Sequence, residues 1–207
     1  MAKRSGPKGD EFEREIAKTL NEAFNTEEFA RTPGSGALTG LSNFAKRMGL
    51  SEDVRRTLGS DLIVPDWFRF SVECKWYKDS PNYATIIKGN DSDLDVWLGE
   101  TVFDAINFGL NPLLFFKTNR KGVHVALPKT FMAGEVNLPV YLTHYLVYNE
   151  FIIIGLDQFL EHRINIVDIG DHELENTMMW LENSQYIKQL LLNLQEQKKK
   201  SKPKKRK

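Results

Sequence analysis

The stretch "GSDLIVPDWFRFSVECKWYKD", residues 59–79, holds four acidic side chains, Asp61, Asp66, Glu73 and Asp79, with Lys75 two places after Glu73. Two strand-like runs, "DLIV" and "FRFSVECKWY", flank Pro65, Asp66 and Trp67, a composition that predicts a turn between two β-strands. In an antiparallel hairpin with a turn of two or three residues, paired positions sum to about 133 or 134, which sets Asp61 opposite residue 72 or 73. Direct and diagonal partners lie within roughly 5–8 Å, so the carboxylates of Asp61 and Glu73 can converge on one cation. Asp66 falls at the turn, on the order of 20 Å away at strand rise, and reads as turn chemistry.

The two-residue period of a strand sends Glu73 and Lys75 to one face and Val72, Cys74 and Trp76 to the other. Two carboxylates beside an ammonium suit a hard divalent cation and a phosphate: oxygen ligands for the ion, a point charge for the phosphate or the attacking water. The same residues also fit a salt-bridge ladder on a solvated sheet face, and the hairpin alone leaves both readings open. Cys74, the single cysteine, reads as a small buried residue rather than a nucleophile, because no histidine stands near it in sequence. The histidines at 124, 144, 162 and 172 share no metal-ligand spacing. Trp67 and Trp76 read as packing residues.

On the N-terminal side, "DEFEREIAKTLNEAF" after Gly9 predicts a helix, with Phe12, Ile16, Leu20 and Phe24 at helical spacing. "FARTPGSGALTG" begins strand-like and turns into a Gly-, Ser- and Pro-containing loop. On the C-terminal side, "LDVWLGETVFDAINFG" predicts a helix stopping near Gly109. "PLLFFKT" and "GVHVALP" predict two strands joined by "NRKG", and "YLVYNEFIIIGLDQFLEH" one or two strands and a short helix. Residues 171–197 read as helical. The fold class is α/β, with a small mixed central sheet flanked by helices.

At 207 residues and 41% hydrophobic content the chain can build one core of moderate size. The opening "MAKRSGPKGDE" predicts no secretory signal, and the longest apolar region is interrupted by His144, Asn149 and Glu150, which excludes a membrane span there. A soluble protein of the cytoplasm is expected. The net charge of zero conceals an asymmetry: "KKKSKPKKRK", residues 198–207, carries eight basic residues, leaving 20 basic against 28 acidic ones in the remainder. Such a tail on an acidic body points to a polyanion, with a merely solvated terminus as the plainer alternative.

The pairing of Asp61 with Glu73-Cys74-Lys75 resembles the PD-(D/E)XK nuclease superfamily, whose core ends in an acid-x-Lys strand. Three further features are similar to archaeal-type Holliday-junction resolvases and their phage relatives. "GDEFEREI" matches that branch's first helix at Gly9, Glu13, Arg14, Glu15 and Ile16. "RTPGSG" is similar to its Arg-x-Pro-x-Ser-Gly loop at Arg31, Pro33, Ser35 and Gly36, and "ECK" is its usual final motif. The resemblance implies a restriction-endonuclease-like core and a metal-dependent endodeoxyribonuclease acting on branched DNA, foremost a Holliday-junction resolvase. A same-fold nuclease of duplex, flap or foreign DNA and a non-catalytic DNA-binding module are the alternatives.

The resemblance also implies roles. Glu13, Asp61 and Glu73, with the backbone carbonyl of Cys74, would hold Mg²⁺, for which Mn²⁺ can substitute; Glu11 and Glu15 are Glu13's rivals on the helix. Lys75 would orient water or stabilise charge developing on phosphorus, Ser35 would assist from the loop, and Arg31 would contact phosphate. A homodimer is implied, with no membrane partner and no small-molecule substrate.

Two segments depart from the compact pattern. An insertion over about residues 37–58 carries Lys46, Arg47, Arg55 and Arg56, which are expected to contact DNA. The expected organisation is a flexible N-terminus (1–8), a nuclease domain (9–170), a helical extension (171–197) and a disordered basic tail (198–207). Lys198, Lys199, Lys200, Lys204, Lys205 and Arg206 of that tail are further expected DNA contacts.

Overall fold

A computed structural model describes residues 7–33, 60–132, 138 and 142–200. Helix α1 (Pro7–Phe24) presents Phe12, Ile16, Ala17 and Leu20 to the core, the four-residue stride that stacks side chains on one helical face. Asn21 anchors the chain that follows: its amide nitrogen donates to the carbonyl of Phe29 at 2.8 Å, and its oxygen accepts the Phe29 amide at 2.9 Å. That clamp lays strand β1 (Ala30–Arg31) along α1.

Strand β2 (Leu62–Ile63) pairs antiparallel with β1, Ala30 opposite Ile63 and Arg31 opposite Leu62. Strand β3 (Phe70–Tyr77) pairs instead with β4 (Asn111–Thr118), and in parallel. The expected tight hairpin between the two runs is therefore corrected. Six residues separate β2 from β3, and one backbone bond, from the Asp61 amide to the Val72 carbonyl at 3.0 Å, stands where a ladder was expected. The cause lies in the turn. Trp67 and Phe68 pack on Phe24 and Phe29 at ring separations of 5.1–5.9 Å, which draws the connection toward α1 and away from a two-residue reversal. Asp61 nonetheless comes beside Val72, as the pairing arithmetic requires.

A parallel pair needs a crossover. It is supplied by α2 (Tyr83–Ile87) and α3 (Ser92–Phe108). Asp91 caps α3 by accepting the Leu94 amide at 3.0 Å, and Gly109 ends it in the left-handed conformation at φ 62°. Strand β5 (Val123–Pro128) returns antiparallel to β4, followed by a 3₁₀ turn (Lys129–Met132), β6 (Leu146–Tyr148) and β7 (Phe151–Gly155). The five-stranded sheet runs β3-β4-β5-β7-β6, so β3 is an edge.

One face of the sheet packs Val72, Cys74, Leu113, Phe115 and Ile152 against Phe12, Ile16 and Leu20 of α1. The other packs Leu114, Phe116 and Ile153 against Trp97, Leu98 and Val102 of α3. Four helices close the chain: α4 (Leu156–Glu161), α5 (Arg163–His172), α6 (Leu174–Asn183) and α7 (Gln185–Lys200). Leu181, Ile187 and Leu190 from the last two belong to the α3 layer. Gly170 of α5 lies against Phe70, where an added Cβ would stand 2.5 Å from the ring. Helix α7 reaches Lys200, so residues 198–200, expected in a disordered tail, form its last turn. Among the described residues no helix is long and apolar enough to cross a membrane.

Candidate active site at the edge of strand β3

An edge strand leaves every second residue's N–H and C=O without a ladder partner. On β3, Val72 and Cys74 turn these groups outward, and Asp61 meets both. Its amide donates to the Val72 carbonyl at 3.0 Å, and its Oδ2 accepts the Cys74 amide at 2.9 Å. The side chain of Asp61 thus takes the place of a neighbouring strand's carbonyl. Upstream, its own carbonyl accepts the Thr32 amide at 2.9 Å, which ties it to the end of β1. A residue held by three such bonds, two through its backbone and one through its carboxylate, has its position set by the fold. Because N–H and C=O of one strand residue point the same way, the Cys74 carbonyl opens on that edge too.

Glu73 and Lys75 occupy the alternate face, toward α3. Lys75 Nζ forms an ion pair with Glu73 Oε1 and a second with Glu100 Oε2 of α3 at 3.0 Å. From the opposite side, α1 brings Glu13, whose Oε2 accepts from Arg31 Nε at 2.6 Å; Arg31 Nη2 also donates to Asp10 Oδ1 at 2.9 Å. Glu13, Asp61 and Glu73 are buried, at 3%, 7% and 7% exposure. Helices on both faces of an edge strand, with a loop along the edge itself, are what bring residues from five segments together.

The electrostatics follow from this burial. Burial pushes the Asp61 carboxyl up to about 6; Lys75 opposes the shift and the Glu13 charge adds to it. Burial and the Asp61 charge push Glu73 up to about 8, again against Lys75. Glu13 is raised by burial, with Arg31 opposing. The Cys74 thiol is raised by burial and the surrounding carboxylates, and is packed in the core. Burial in this setting leaves it no nucleophilic character.

Asp61 lies against β3, Glu73 pairs with Lys75 on that strand's face toward α3, and Glu13 pairs with Arg31 from α1. Among the described residues no three His, Cys, Asp or Glu side chains stand close enough to hold an ion; Glu13 and Glu73 are turned onto Arg31 and Lys75. Ser35, Lys46, Arg47, Arg55, Arg56, Lys204, Lys205 and Arg206 lie outside the described residues. Lys198, Lys199 and Lys200 sit at the end of α7. Trp76 packs edge-on against Phe12, 6.3 Å between rings, as a packing residue would.

Three residues escaped the sequence reading. Glu100 pairs with Lys75, the buried Asp104 adds its charge to Asp61's surroundings, and Asp10 shares Arg31 with Glu13. The signal for two of them was present: Glu100 and Asp104 follow Trp97 at steps of three and four, on the apolar side of α3. Acids on the buried side of a helix ask for partners.

Over residues 4–169 the chain matches the protein family described as "Phage putative PDDEXK endonuclease". It is 27% identical over 171 residues to Protein D14 of Escherichia phage T5, covering 82% of this chain and 99% of the T5 protein. No solved structure matches. The matched span holds Glu13, Asp61, Glu73 and Lys75 and every strand of the mixed sheet. With the motifs in order along the matched span, the chain belongs to the phage PD-(D/E)XK endonuclease family, a nuclease on a restriction-endonuclease-like core.

Proposed function

We propose that this protein is a divalent-metal-dependent endodeoxyribonuclease that cuts branched DNA, four-way junctions foremost. The observation that carries the reading is the double anchoring of Asp61 on the edge of β3, next to Glu73 and Lys75. The donor set fits a hard cation. It offers only oxygen ligands, and burial, with neighbouring carboxylates adding to it, raises the pKa of Asp61 and Glu73, a penalty on their charged forms that a bound positive ion would relieve once Glu13 and Glu73 turn from Arg31 and Lys75. Asp61 and Glu73 would hold Mg²⁺ or Mn²⁺, with Glu13 and the Cys74 carbonyl completing the set. Such an ion supplies Lewis-acid activation of water and of the phosphodiester.

The chain's own groups do the rest. Lys75, half-buried, presents a fixed positive charge to the oxygens of the scissile phosphate, where negative charge grows as water adds to phosphorus and the P–O bond to the leaving oxygen breaks. Arg31 borders an open groove along α1 lined by Arg14, Lys18, Asn21 and Asn25 together with Glu22 and Glu27. This groove gives the DNA backbone a path to the site. A homodimer would present two such sites to the two strands that junction resolution must cut.

The test is incubation with Mg²⁺ and a synthetic four-way junction, against a linear duplex of the same sequence, with Glu73→Gln as control. Paired symmetric nicks in the junction, absent in the variant, are expected. Preferential cutting of duplex or flaps overturns the branched substrate and keeps the nuclease. Tight binding without cleavage in any divalent metal overturns the catalytic reading.

A further inference from the structure

Two cations at this site share an arrangement. Arg31 lies between Glu13 (2.6 Å) and Asp10 (2.9 Å). Lys75 lies between Glu73 and Glu100, the latter at 3.0 Å. In each case one carboxylate belongs to the proposed metal set. The other comes from a helix, α1 or α3, and is less buried: 32% exposed for Asp10 and 28% for Glu100.

We infer that Asp10 and Glu100 are positioning residues that hold Arg31 and Lys75 in place when a divalent ion takes Glu13 and Glu73 away from them; the inference rests on the nuclease reading. A partly buried ammonium stripped of its one counter-charge is costly. Without a second carboxylate, Lys75 would compete with the ion for Glu73, and the ion would have to expel it. With Glu100 in place, Lys75 keeps a partner at 3.0 Å throughout. It stays in the site facing the phosphate instead of swinging into solvent. The same holds for Arg31 with Asp10. Each cation is thereby shared in the free protein and handed to its outer acid in the loaded one. Glu73 and Glu13 become ligands without disturbing the groups that meet the DNA.

The test needs neither DNA nor cleavage. Mn²⁺ affinity of the full chain is measured by calorimetry or by the loss of free-ion paramagnetic resonance signal, for Glu100→Gln alone and combined with Lys75→Met. Outer partners of metal ligands typically alter affinity by about 10–100-fold. Glu100→Gln is expected to weaken Mn²⁺ binding roughly tenfold when Lys75 is present and less than about threefold when it is Met. Asp10→Asn with and without Arg31→Met repeats the cycle at the second cation, so a poorly folding Lys75 variant leaves an independent measurement. Equal losses in both backgrounds mean that the acids act only through their general field, which overturns the inference. So does an unchanged affinity in Glu100→Gln and Asp10→Asn. Should the unsubstituted protein bind no Mn²⁺ at all, the metal-nuclease reading falls, and this inference with it. A positive cycle from a protein that cuts no DNA would uphold the positioning of the two cations at a metal site and overturn the cleavage reading alone.

Discussion

The carboxylate of Asp61 accepts the backbone amide of Cys74 at 2.9 Å while the amide of Asp61 donates to the Val72 carbonyl at 3.0 Å. One residue thus serves as both neighbouring strand and candidate ligand, and the two roles can be separated. Asp61→Asn retains an oxygen for the Cys74 amide, whereas Asp61→Ala retains none. Leaving a buried donor unsatisfied costs about 1–3 kcal/mol. Both variants are expected to lose at least ~100-fold in cleavage, but only Asp61→Ala should melt several degrees lower. Equal melting of the two by circular dichroism would show that the bond to β3 contributes no stability.

Lys75 is the cation shared by Glu73 and Glu100. Replacing it with Met leaves the buried Glu73 facing the half-buried Glu100 with no cation between them, a defect of about 3 kcal/mol by the usual cost of breaking a buried pair. Adding Glu73→Gln removes the repulsion. Denaturant melts should therefore show Lys75→Met well below the parent and the double variant recovering most of the loss. Cleavage should stay abolished in both, since neither restores a charge at the phosphate.

A pH dependence follows from the raised carboxyls. Folding lifts Asp61 from 3.8 to about 6 and Glu73 from 4.5 to about 8. Between about pH 4 and pH 8 the folded protein therefore binds more protons than the unfolded chain, so stability falls as pH rises through that window. In metal-free buffer the melting temperature should drop from pH 5 to pH 8, and Glu73→Gln should flatten the part above pH 6. A curve that is level or climbing from pH 6 to 8 would contradict the assignment. Saturating Mg²⁺ should also flatten it, by favouring the ionised forms.

Residues 201–207 carry five of the eight basic charges once α7 is seen to take Lys198–Lys200. Each phosphate neutralised contributes a slope near −0.9 in log affinity against log salt. Deleting 201–207 should lower the magnitude of that slope by up to about 4.5 for duplex DNA. Single-turnover cutting at saturating protein should be unchanged. If that rate collapses, the segment acts in the site rather than as an electrostatic arm.

Much of the architecture could be read from local pattern. The stride of Phe12, Ile16 and Leu20 marked α1. Asp91 and Gly109 marked the two ends of α3, and the alternation of "FSVECKWY" put Glu73 and Lys75 on one face of β3 and Cys74 on the other. These signals work because helix, cap and pleat repeat within two to eight residues, so each is complete in a short window. The site's four central side chains came from the same windows, joined by motif order.

The tertiary structure alone decided the rest. Nothing local to β3 selects a parallel partner some forty residues on rather than β2, because that choice depends on α3 covering one face while α1 covers the other. It made β3 an edge, gave Asp61 an unpaired amide to cap, and brought Glu100 and Asp10 to the two cations from opposite sides. Contacts between helices on opposite faces of a sheet have no period along the chain. They exist only once the layers have packed.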